Sequence, residues 1–218
     1  MTPARPRPSA PRRRLPFYYG WLIIGIAFVT MAISVSARTA FSLLLPPLMT
    51  EFAWDRGLIA GAFSFGFLVS AIWSPIVGRL MDQYGPRVII QTGVILLAAG
   101  LFLAPLIQTP WQLYATLGVL VGGGANLMSF TSQSLYLPNW FVRNRALAIS
   151  IAFSGVGAGA ILLLPWLQTI ITDDGWRASC RAMAWLVVLV LAPLNWFVRH
   201  RPQDLGLLPD GDPQPVAD

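Results

Sequence analysis

Residues 78–87 read Gly-Arg-Leu-Met-Asp-Gln-Tyr-Gly-Pro-Arg and join two apolar runs, each long enough to cross a lipid bilayer. Backbone groups in hydrocarbon have no water to bond, so each run must satisfy its own amides and carbonyls as a helix. The link between them must stay in water. Arg79 and Arg87 bias it to the cytoplasmic side. Gly85 and Pro86 supply the sharp turn. Asp82 is placed to accept from Arg87 or from the first amides of the next helix. An ordinary basic turn between two helices would carry the same residue types.

The same logic extends along the chain. Only 11% of the 218 residues are charged and 56% are hydrophobic, with a mean hydropathy of +0.63; a soluble domain carries about 25% charged residues. Apolar runs near 17–48, 57–80, 87–107, 111–138, 146–171 and 177–198 predict six spans, an all-α membrane protein. The net charge of +6 would suit nucleic acid, but its arginines are scattered among links and tails rather than gathered on one face, so no nucleic-acid partner is expected. The lone Cys180 excludes an internal disulfide and a cysteine-based metal site. The lone His200, between Arg199 and Arg201, reads as interfacial. No triad, metal cluster or phosphate-binding loop is visible, so neither enzyme chemistry nor a cofactor is expected.

Charge alternation sets the expected orientation. The Pro- and Arg-rich tail 1–16 carries five arginines, the 79–87 link two, the link before span five two (Arg143 and Arg145), and the end of span six two (Arg199 and Arg201). The opposite links hold Arg56 and Arg177 with Glu51, Asp55, Asp173 and Asp174. Both termini are therefore expected in the cytoplasm: a disordered basic tail over 1–16, the bundle over 17–198, and a polar tail over 199–218. The first apolar run is longer than the apolar core of a signal peptide and reads as an uncleaved span.

A faint repeat runs at an offset of 90. Gly85-Pro86-Arg87 recurs as Gly175-Trp176-Arg177, each just after an aspartate and between two spans. Three spans is an odd number, so the second copy is inverted. Glycines at helix-contact spacing, Gly57/Gly61, Gly118/Gly122 and Gly155/Gly159, let backbones approach closely. They serve either plain packing or a site of helix rocking.

Gly78, Leu80, Asp82, Gly85 and Arg87 match the pattern Gly-x-Leu-x-Asp-x-x-Gly-x-Arg, which resembles the signature loop between spans two and three of the major facilitator superfamily. Further segments narrow the resemblance: Phe17-Tyr18-Tyr19-Gly20-Trp21; Glu51-Phe52-Ala53-Trp54-Asp55-Arg56; Trp140-Phe141-Val142-Arg143-Asn144-Arg145-Ala146-Leu147-Ala148; Gly175-Trp176-Arg177-Ala178-Ser179; and Arg201-Pro202-Gln203-Asp204-Leu205-Gly206-Leu207. Together they resemble the bacterial branch of the monocarboxylate-porter and oxalate/formate-antiporter group. The resemblance covers nearly all of this chain and only the N-terminal half of such proteins, which have about twelve spans. The sequence stops in what would be their central loop. Tyr19 departs from the eukaryotic members, whose span one usually opens with an acidic residue before Gly-Trp.

The resemblance implies one half of a major facilitator fold, two inverted three-helix repeats, in a bacterial inner membrane. It implies transport of a small organic anion by alternating access, as symport or antiport. In the group a cationic residue of span one meets the substrate carboxylate, and Arg38 occupies that region. A guanidinium binds a carboxylate with two parallel hydrogen bonds. Alternatively Arg38, 21 residues after Phe17 and thus roughly 31 Å along the helix, lies at the outer interface and snorkels. Span four is the most polar, with Asn126, Ser129, Thr131, Ser132, Gln133 and Ser134 within nine residues. Asn126 and Gln133, seven apart, share a helical face; they orient substrate or bond between helices. Gly78, Asp82, Gly85 and Arg87 belong to gating. No acid lies deep in a span, so this half offers no buried proton carrier. The expected partners are the bilayer, the anion, and a second six-span half or a second copy. The competing reading is a truncated or split-gene product, or an accessory subunit, without transport of its own.

Overall fold

A computed structural model describes residues 19–198, and all six expected spans are present as helices. They are α1 (Tyr19–Phe52), α2 (Arg56–Tyr84), α3 (Pro86–Leu106), α4 (Pro110–Asn139), α5 (Arg145–Asp174) and α6 (Trp176–Trp196). The expectations for the two tails, His200, Arg199 and Arg201 lie outside the described residues.

The helix ends correct the sequence boundaries. α1 runs past residue 48 to Phe52, with a turn at Ala40, Pro46 and Pro47 inside it, and a left-handed Ala53 (φ 51°) closing it. Asp55 caps α2 by accepting from the Gly57 amide at 2.8 Å. The 78–87 link is mostly helix. Arg79, Leu80, Met81, Asp82 and Gln83 are compatible with helix, and α2 continues out to Tyr84; the break is Gly85 alone, followed by Pro86 at the first position of α3.

Gly85 has φ 80°, ψ 159°, and Gly175 has φ 84°, ψ 165°. Both lie where side chains other than glycine are strained, and each closes a long helix onto the start of the next. The repeat therefore exists as backbone geometry. Packing repeats it too. α1 lies along α5, and α2 lies along α4. At the α1–α5 crossing, a Cβ on Gly155 would meet the backbone of Phe28, and one on Gly159 that of Ala32. At the α2–α4 crossing, Gly66 meets Gly118 and Gly122, with virtual Cβ contacts of 3.2 Å and 3.1 Å. Phe28 and Ala32 stand 90 residues before Gly118 and Gly122, and Gly66 stands 89 before Gly155. Because each triple has an odd number of antiparallel helices, the two run in opposite senses. Gly57 and Gly61 do not fit that role. Gly57 faces its own cap Asp55, and Gly61 faces the Tyr114 hydroxyl.

α3 packs against α4 and α6 and completes the interior. α2 and α5 bury the least of their length and present Phe67, Leu68, Ile72 and Trp73, and Ile161 and Leu162, outward.

α4 is the irregular helix. It opens with Gln112 Oε1 accepting from the Gln108 and Thr109 amides at 2.8 Å and 3.2 Å, widens over Tyr114–Val121, and breaks at Met128–Ser129 before resuming at Phe130. Asn126 and Gln133 therefore do not lie on one continuous helical face, because the break intervenes.

Candidate functional site

Arg38 sits 19 residues after the first residue of α1 and 14 before the last. That is roughly 28 Å and 21 Å of helix at 1.5 Å per residue. The first helical stretch ends one residue after it, at Thr39, and the span resumes at Phe41 and runs on to Phe52. Its guanidinium carbon lies 3.7 Å from the centroid of the Phe67 ring on α2, and its Nη2 is buried with no hydrogen-bond partner among the described residues. A charge inside a span costs about 2.5–3.5 kcal/mol. A partly desolvated cation–π contact returns about 1–2 kcal/mol of that. The remainder, together with an unmet donor, is what an anionic ligand would offset.

Beside Arg38 lies a small cavity in the middle of the bundle, with lining from all six helices: Phe41 on α1, Phe63 on α2, Leu101 on α3, Leu117 on α4, Leu167 on α5 and Cys180 on α6 among them. Its volume, about 20 Å³, admits about one water molecule. Arg38 is the sole charged residue of its lining.

Asn126 and Gln133 are buried but do not meet Arg38 in this structure. Asn126 donates through Nδ2 to the Ser70 carbonyl at 3.2 Å, and Ser129 donates to the Asn126 carbonyl at 2.8 Å. Gln133 donates to the Met128 carbonyl at 3.3 Å and accepts from the Tyr136 hydroxyl at 2.6 Å. Ser129 and Gln133 thus serve the Asn126 and Met128 carbonyls beside the α4 break, as membrane interiors require, while Asn126 bonds the backbone of α2. Of the two roles left open by sequence, interhelical bonding describes the observed geometry of Asn126.

At the other candidate, Asp82 and Arg79 are exposed on the last turns of α2 and have no hydrogen-bond or ion-pair partner among the described residues. The expected bond from Asp82 to Arg87 or to the first amides of α3 is absent among them. The turn at Gly85 sends Arg87 the other way, and its guanidinium lies 4.2 Å from the Trp196 ring at the end of α6. Gly78 has open space around it. Arg143 and Arg145 are exposed at the approach to α5.

One cluster was not foreseen. Glu51 at the end of α1 accepts from Arg177 Nη2 at 2.6 Å and Nη1 at 2.8 Å, and from Trp176 Nε1 at 2.7 Å. Arg177 also donates to the Pro105 carbonyl of α3 at 3.1 Å. The sequence placed Glu51 and Arg177 at one end of the bundle, which was the available signal. It also omitted Arg181, exposed one turn further along α6. The contact of Phe67 with Arg38 had no sequence signal, since Phe67 is one of 12 phenylalanines.

Comparison with known proteins accords with the fold. The chain is 29% identical over 161 residues to monocarboxylate transporter 13 of Bos taurus, covering 74% of this chain and 38% of that protein. It is 28% identical over 195 residues to human monocarboxylate transporter 11, covering 89% and 40%. It is 26% identical over 183 residues to the uncharacterized MFS-type transporter YcxA of Bacillus subtilis, covering 84% and 45%. The chain thus spans less than half the length of these curated relatives. The profile described as Major Facilitator Superfamily matches residues 15–217. With its six bilayer-length helices, this chain belongs to the major facilitator superfamily of membrane transporters.

Proposed function

We propose that the chain forms one half of a secondary carrier that moves a small organic anion, of the monocarboxylate kind, across the cytoplasmic membrane by alternating access. Arg38 is the anion-binding group in this reading. The observation that carries it is a guanidinium on the first span, set over an aromatic ring, with a buried N–H edge left without a partner among the described residues. The names of the relatives supply the substrate class. Alternating access requires two bundles rocking about a shared site, so a second six-span bundle is the proposed partner. Asp82 and Arg79, exposed at the end of α2, are placed to bond across to it and bias the inward-open against the outward-open state.

The test is uptake of labelled propionate into proteoliposomes. The purified chain alone is expected to show no saturable uptake. In an assembly that transports, Arg38→Ala is expected to abolish uptake, and Arg38→Lys to keep part of it, because the charge stays while the two-pronged geometry goes. Saturable uptake by a monomer would refute the need for a second bundle, and uptake with a dimer mass would make the partner a second copy. Equal uptake by wild type, Arg38→Ala and Arg38→Lys would remove Arg38 from the site.

A further inference from the structure

Phe67 is the end of an aromatic ladder. Phe41 stacks on Phe63 at 5.2 Å between centroids and 17° between planes, and Phe63 meets Phe67 edge to face at 5.0 Å and 88°. The face of Phe67 then carries the Arg38 guanidinium at 3.7 Å. At that distance the guanidinium carbon is in van der Waals contact with the ring. Its five N–H groups point outward in its own plane, and the edge at Nη2 has no partner among the described residues. A carboxylate can use two parallel hydrogen bonds only in that plane. The flexible arginine side chain would otherwise spread over many rotamers, and fixing it on binding would weaken the complex.

We propose that Phe67 is a positioning residue for anion binding: its ring holds the Arg38 guanidinium flat, so that the substrate carboxylate docks edge-on at the free N–H groups. The proposal rests on the reading of Arg38 as the anion-binding group. Phe41 and Phe63 hold the ring in turn, which makes the guanidinium orientation a property of α1 and α2 together. Phe67 is 51% exposed, so replacing it opens no internal cavity.

The experiment uses the transporting assembly in detergent micelles, with this chain labelled with nitrogen-15 arginine, the Arg38 signals assigned by their loss in Arg38→Lys, and propionate as the probe. In the wild type the Arg38 N–H protons should be displaced by the ring current of Phe67. That displacement should vanish in Phe67→Leu and persist in Phe67→Trp. Propionate should bind about ten-fold more weakly to Phe67→Leu, and to Phe67→Trp within about two-fold of wild type, since tryptophan gives the stronger cation–π face. Thermal unfolding, read by exposure of the Cys180 thiol, should be unchanged in both, which separates positioning from stability. Wild-type affinity in Phe67→Leu would overturn the role of Phe67 and leave Arg38 as the anion site. No propionate binding by the wild type would overturn both. Absence of the ring-current displacement in the wild type needs no variant and would overturn the stacking itself.

Discussion

Gly159→Ala tests the close approach of α1 and α5 most directly. Ordinary carbon contacts lie near 3.5–4.0 Å. A methyl group on Gly159 would stand 2.8 Å from the Ala32 Cα and 2.7 Å from the Ser36 Oγ, and would press harder still on the Ala32 carbonyl oxygen. The obstacle is backbone, which cannot rotate aside, so the helices must separate by about 1 Å to reach ordinary contact. Overpacking of this kind costs about 1–3 kcal/mol, against a gain of about 1 kcal/mol for alanine over glycine inside a helix. Gly157, two residues away on the same helix, is exposed with nothing within 4 Å of a Cβ. Gly157→Ala collects the propensity gain without the clash. The net cost is about 0–2 kcal/mol, so at roughly 2–4 °C per kcal/mol for a chain of this size Gly159→Ala should melt about 0–8 °C below wild type and Gly157→Ala about 2–4 °C above it. The assay is a thermal melt in detergent with a thiol-reactive fluorophore. Cys180 is the chain's sole cysteine and is buried, so its labelling reports unfolding. A Gly159→Ala protein that melts as far above the wild type as Gly157→Ala would refute the argument that this crossing is set by backbone contact.

Reporter fusions at Gln108 and Asp174 should read outside and fusions at Gln83 and Asn144 inside; one reversed site would break the arginine-based orientation. Asp82→Asn should insert normally yet reduce propionate flux in a transporting assembly. Unchanged flux and unchanged accessibility of the two sides would reduce 78–87 to a turn. Glu51→Gln removes one charge of a half-exposed pair and leaves Arg177 with weaker acceptors, so the melt should fall by about 1–4 °C, for a loss of about 0.5–1 kcal/mol; an unchanged melt would show that the cluster adds nothing to stability.

The pairing of Asp82 with Arg87 that the sequence suggested did not form among the described residues. Sequence placed Asp82 and Arg87 five residues apart across a turn, close enough to pair. The helix instead keeps Asp82 on its last turn, ahead of the break at Gly85, while Arg87 past the break lies against Trp196. The two charges diverge because α2 does not stop where its apolar run stops. Hydrophobicity marks where lipid ends; only Gly85 and Pro86 mark where the helix ends. The same difference lengthened α1 to Phe52 and brought Glu51 within reach of Arg177.

What was legible in the sequence is what local chemistry decides. Six apolar runs must be helices because lipid offers no other partner for their backbones. Gly85 and Gly175 must turn because the chain there needs a positive φ. Gly155 and Gly159 marked a close crossing because a stripe without side chains lets another helix in. Tertiary structure alone decided which helix crosses there, which ring lies under Arg38, and how Asn126 and Gln133 spend their amides. Those outcomes depend on how far each helix is rotated and where α4 breaks. Both are set jointly by segments far apart in the chain: Phe67 meets Arg38 from another helix, and Asn126 reaches Ser70 across 56 residues. The periodicity of one segment records which face is buried, but carries no record of what that face will touch.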